Sequence, residues 1–226
     1  MCLKTVCHDC FGHDMRGMLI CKNCRLEVQR HIGPSWETPG DDQLQSFFST
    51  LWSAVRSPNT FVHTMPMRRP WFPAAIFGIV CITGGLLIAT MWEFLLNERA
   101  NDQLIQLIGQ KDIPTTALRA MAFARAVVIA PLIMLFHVMT LHAVLNLAGV
   151  SADRGTVARI FGFACASYVF LLIPPIAGFP IGYMLMIIWL FNVEAHAIQR
   201  FYDVSSTKAT LIVLVPTFLG VMLRCF

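Results

Sequence analysis

The chain has 226 residues, of which 56% are hydrophobic and only 13% charged, about half the charged fraction of an ordinary soluble domain. A formal charge of +4 spread along the chain lacks the clustered basic face of a nucleic-acid binder. Composition therefore excludes a soluble globular domain and argues for a chain held mostly in lipid, with no nucleic acid among its partners.

Residues 1–33 carry two CxxC pairs, Cys7/Cys10 and Cys21/Cys24, separated by ten residues. Tetrahedral zinc binding by thiolates needs two close pairs on turns that can face each other, and that gap suffices for a small hairpin. The quartet predicts a zinc-ribbon-like module with structural Zn2+: four thiolates close the tetrahedron and leave no open position for a catalytic water. A redox dithiol and an iron-sulfur cluster are the other uses of such thiolates, the first usually needing a strand-helix-strand unit longer than this segment. Cys2, His8 and His13 stand nearby as bystanders. Nothing in the first residues has the apolar stretch of an export signal.

Residues 34–40, rich in glycine and proline, predict a linker. Across 41–57 the residues Leu44, Phe47, Phe48, Leu51, Trp52 and Val55 recur at three- and four-residue steps behind a cap at Asp41 or Asp42, the pattern of an amphipathic helix. Such a helix either lies along the membrane surface as an interfacial element or packs on the protein's own spans.

Residues 71–226 predict a domain of five transmembrane helices: about Trp71–Leu96, Met121–Val150 with Pro131 inside it, Val157–Ile173, Ile181–Ile198, and Ala209–Leu223 bent at Pro216. Pro174, Pro175, Gly178 and Pro180 make the third and fourth spans a tight hairpin. The fold class is thus all-α membrane, with a small N-terminal zinc ribbon. Placing the N-terminus in the cytoplasm puts Arg56, Arg68, Arg69, Arg154, Arg159, Arg200 and Lys208 inside, against Arg99, Lys111, Arg119 and Arg224 outside. The positive-inside rule favours that choice, and reduced thiols belong there too. The C-terminus then lies on the opposite side.

Polar residues inside spans are costly and invite a question. His142 and Asn146 on the second span, and Asn192 and His196 on the fourth with Glu194 between them, suggest a polar cluster toward the cytoplasmic ends, with His137 deeper as a possible accessory. As a functional site the cluster would take a proton, an ion or a lipid headgroup; as a structural one it would be a hydrogen-bonded clamp between helices. No nucleophile–base pair and no phosphate loop is visible, so no enzyme is expected. Gly84, Gly85, Gly178 and Gly182 favour close helix packing or dimerisation.

The run Ile188–Trp189–Leu190–Phe191–Asn192–Val193–Glu194–Ala195–His196–Ala197–Ile198, the polar turn Phe201–Ala209 and the final apolar span with Pro216 resemble the last two helices of Yip1-domain membrane proteins, as does the five-span layout over about residues 45–226. The resemblance implies a cytosolic N-terminus and a non-enzymatic membrane domain. Eukaryotic members associate with small GTPases in vesicle trafficking, but their Asp-Leu-Tyr-Gly-Pro-type segment is absent here. The cysteine module in place of a longer N-terminal extension looks like the bacterial branch, which implies an inner-membrane location. The leading expectation is an adaptor or scaffold that recruits a protein partner, or a second copy, at the cytoplasmic face. The alternative is a lipid or ion transport protein built on the polar cluster.

Overall fold

The computed structural model describes residues 11–13, 19–21, 33–37, 42–65, 70–96, 115–176 and 179–225. Cys7, Cys10 and Cys24 lie outside them. Strands β1 (Phe11–His13) and β2 (Leu19–Cys21) pair antiparallel, with Phe11 opposite Cys21. The rest is helical: a 3-10 turn at Ser35–Glu37, then α1 (Gln43–Arg56), α2 (Pro58–Thr64), α3 (Phe72–Leu96), α4 (Thr115–Leu147), α5 (Arg154–Ala164) continued as a 3-10 helix over Cys165–Leu172, α6 (Ile181–Tyr202) and α7 (Ser206–Cys225).

Four of these segments are long and apolar enough to cross a membrane: Phe72–Leu96, Phe123–Leu147, Arg154–Leu172 and Ile181–Tyr202. The third is the centre of the bundle. Some 72% of it is buried, against 28–39% of the others, so it contacts protein where its neighbours contact lipid. Its two helix types have a use in length: nineteen residues of pure α-helix reach only ~28 Å, whereas eight of them wound as 3-10 extend the segment to ~32 Å, enough for the ~30 Å hydrocarbon core.

Close packing of the first and third spans depends on glycine. A Cβ on Gly162 would stand 2.3 Å from the Ala74 carbonyl oxygen, and one on Gly78 would stand 2.8 Å from the Gly162 Cα. Farther along, Gly85 meets Tyr168, so α3 and the third span run in the same direction and start from the same end of the bundle. The fourth span returns antiparallel after a short turn bridged between Ile176 and Phe179, and Gly182 lies against the Phe170 carbonyl. Asp203 takes a left-handed conformation, φ 51°, to end α6 before α7 begins, a backbone that aspartate tolerates better than most residues.

Helix α1 is capped as its sequence suggests, with Asp42 Oδ1 accepting from the Leu44 N–H at 3.0 Å. Its orientation is the less obvious part. Ser46, Thr50 and Ala54, one turn apart, form the buried face, while Leu44, Phe48 and Trp52 are 59–69% exposed. The helix packs on the protein through small residues, which let backbones approach, and turns its largest apolar groups outward. Phe47, Leu51 and Val55 lie half-buried between. Packing on the spans and an outward apolar ridge thus coexist on two faces of one helix.

The segment expected to be a linker is docked over residues 33–37. Thr50 Oγ1 accepts from the Trp36 N–H at 3.0 Å, the Trp36 indole donates to the Pro73 carbonyl at 2.7 Å, and its ring lies among Phe47 and Phe77. Thr50→Val keeps the shape and removes that acceptor from a buried N–H. We expect a loss of about 1–3 kcal/mol, read as a lower thermal midpoint in detergent, with Gln45→Ala on the exposed face of the same helix as the control.

Candidate functional site

Two buried pairs of polar side chains tie the bundle together. In the first, Arg159 on α5 donates through Nη2 to both oxygens of Glu37, at 2.9 and 3.0 Å, and through Nε at 3.3 Å. Each side chain is only 2% exposed, so the fork-shaped contact is what makes the burial of these charges tolerable. The pair spans 122 residues of sequence and fastens the chain just after the cysteine module to the central helix.

In the second pair, His137 Nε2 on α4 stands 2.8 Å from Glu194 Oε1 on α6, with side chains 7% and 0% exposed. The contact is close without the alignment of a hydrogen bond, and among the described residues Glu194 Oε2 has no hydrogen-bond partner. On its other side the His137 ring lies flat on Phe161 of α5, centroids 3.9 Å apart at 11°. The third span therefore stands between the second and fourth, and supplies the floor on which histidine and glutamate meet. His137 is ten residues from the end of α4 and Glu194 eight from the end of α6, ~12–15 Å along each helix.

The remaining residues of the expected cluster do not join this pair. His142 and Asn146 contact each other within α4, the Asn146 Nδ2 lying 3.3 Å from the ring nitrogens. His196 donates from Nδ1 to the Asn192 carbonyl of its own helix at 2.8 Å, and the Asn192 side chain is exposed. The reason is helical geometry: Glu194 is two residues from both Asn192 and His196, ~200° around a helix of 3.6 residues per turn, so it occupies the opposite face with the buried Leu190, Val193, Ala197 and Ile198. That contrast is visible in sequence, as is the alignment of His137 with Met134, Val138 and Leu141 on a buried face.

Of the expected metal ligands, only the Cys21 backbone falls in the described residues, in β2. Gly85 and Gly182 serve contacts within the chain, and Gly84 has open space around it. Comparison with family models, with curated proteins and with solved structures gives no match.

Proposed function

We propose that this protein is a non-enzymatic multi-pass membrane scaffold of Yip1-like architecture, in which Cys7, Cys10, Cys21 and Cys24 hold a structural zinc and present it, with the outward ridge of α1, to a partner at the cytoplasmic face. The observation that carries the reading is the Glu37–Arg159 pair. A module meant to move independently needs a flexible tether, whereas here the chain leaving the cysteine region is fastened to the most buried helix of the bundle. The strand register fits the zinc assignment, since it sets Phe11, which follows Cys10, across from Cys21. In this arrangement α7 is the fifth span, the N-terminus is cytoplasmic and the C-terminus lies across the bacterial inner membrane.

The test is metal analysis and copurification of the full chain in mild detergent without chelator. About one zinc ion per chain is expected, and Cys7→Ser and Cys24→Ser are expected to lose both the metal and the copurifying partner. Wild-type protein without zinc would remove the premise.

A second reading, a lipid or ion transport protein or subunit, here proton- or ion-coupled, is favoured by the fully buried Glu194, whose Oε2 has no hydrogen-bond partner among the described residues. Ionisable side chains in the middle of spans mark ion and proton pathways more often than they mark simple packing. Flux across vesicles reconstituted with the purified chain separates the two readings, because a scaffold carries none.

A further inference from the structure

We propose that His137 and Glu194 form a proton-binding site at the heart of the membrane domain, in which one exchangeable proton is held by the pair and Glu194 Oε2 is the atom that receives it. This deepens the transport reading and rests on it for its purpose. The charge arithmetic selects the ligand. With neutral imidazole and ionised carboxylate the site carries a full negative charge in an apolar surrounding, which is the unfavourable state. Uptake of one proton from hydronium forms an O–H bond at Glu194 Oε2, releases a water molecule, and leaves a site of zero net charge.

Other ligands fit less well. A lipid phosphate would meet a carboxylate and be repelled. A divalent metal needs more donors than two, and among the described residues no three His, Cys, Asp or Glu side chains gather to hold one. The ring face of His137 is closed by Phe161, and 0% exposure of Glu194 keeps bulk water away, so the carboxyl exchanges its proton only when the bundle admits water or a substrate. Among the described residues a titratable neighbour is the Cys165 thiol, within electrostatic reach of Glu194 and of Cys81 on α3; Arg159, on the same central span, is paired with Glu37.

Infrared difference spectra of the full chain in lipid nanodiscs, recorded across the pH range in which ordinary glutamate and histidine ionise, test the site. The expected result is a buried carboxylic-acid stretching band that changes with pH, is lost in Glu194→Gln, and survives at a displaced frequency in Glu194→Asp. His137→Gln should keep the band and displace its frequency, because the group in contact with the carboxyl is gone. This last variant keeps the result decisive if Glu194→Gln fails to assemble. A band indifferent to both residues, or none at all, overturns the proposal. A dye-reported proton flux in reconstituted vesicles supplies the other arm: a titrating Glu194 band without flux sustains the site and ends the transport reading, and flux that persists in Glu194→Gln does the reverse.

Discussion

Replacing Glu37 by glutamine is expected to destabilise the folded membrane domain by about 3–5 kcal/mol, a magnitude set by leaving a buried arginine without its counter-charge. Arg159 is 2% exposed and donates three hydrogen bonds to that carboxylate, so water does not reach it in the folded protein to replace them. The effect should be visible as a large drop in the unfolding midpoint of detergent-solubilised protein and as new protease cleavage near residues 33–37. Because the pair is shielded, added salt should leave the difference unchanged, unlike that of a surface ion pair. The double replacement Glu37→Leu with Arg159→Met removes both charges and should recover most of the loss, since apolar groups of similar volume often replace a buried pair without penalty. A Glu37→Gln protein as stable as wild type would show that the clamp contributes nothing and would remove the main support for a rigidly mounted cysteine module.

The same pair shows where sequence stops being informative. Apolar length and three-to-four-residue periodicity locate α3 to α7 within a few residues, because lipid imposes a simple rule on any backbone that crosses it. Gly33, Pro34 and Pro39 speak for a linker by local propensity alone. What docks the segment is a carboxylate whose partner lies 122 residues away, and no local pattern encodes that. The pair also changes the meaning of a count: Arg159, a positive charge by sequence, is neutralised in place by Glu37 and tells less about orientation than the exposed Arg56 or Lys208.

Amphipathicity misleads in α1 for a related reason. In a helix of a soluble protein the larger apolar face turns inward, whereas here close contact with the bundle selects Ser46, Thr50 and Ala54 and leaves Leu44, Phe48 and Trp52 facing outward. The candidate site was half legible. Spacing of four residues groups Asn192 with His196, and the structure keeps that link within the helix. Glu194 and His137 instead share buried faces, a signal that follows from the wheel position of each, although their meeting across Phe161 depends on the third span standing between their helices.

That third span makes the strongest demand on a single side chain. Gly162→Ala adds one carbon, and it would fall 2.3 Å from the Ala74 oxygen and 2.7 Å from the Ala74 carbonyl carbon. Both obstacles are backbone, so no rotamer change relieves the clash and the helices must separate. We expect a cost at or above the ~3 kcal/mol upper range of ordinary overpacking. Separation has a particular consequence here. Arg159 lies one turn before Gly162 and is held by Glu37, while the Trp36 indole is bonded to Pro73 beside Ala74. Pulling the two spans apart therefore draws the two anchors of the docked turn away from each other. Gly162→Ala should release residues 33–37 along with loosening the bundle, read as a red-shifted Trp36 emission in a variant whose other tryptophans are replaced, together with a lowered unfolding midpoint. Gly84→Ala is the matched control: it too is a helical glycine, on α3, yet among the described residues nothing stands within 4 Å of its added carbon, and alanine's better helix propensity should leave the protein as stable as before or stabilise it by ~0.5–1 kcal/mol. Equal behaviour of the two variants would mean that spans one and three do not touch at Gly162, and the parallel packing that supports the docked Trp36 turn would have to be abandoned.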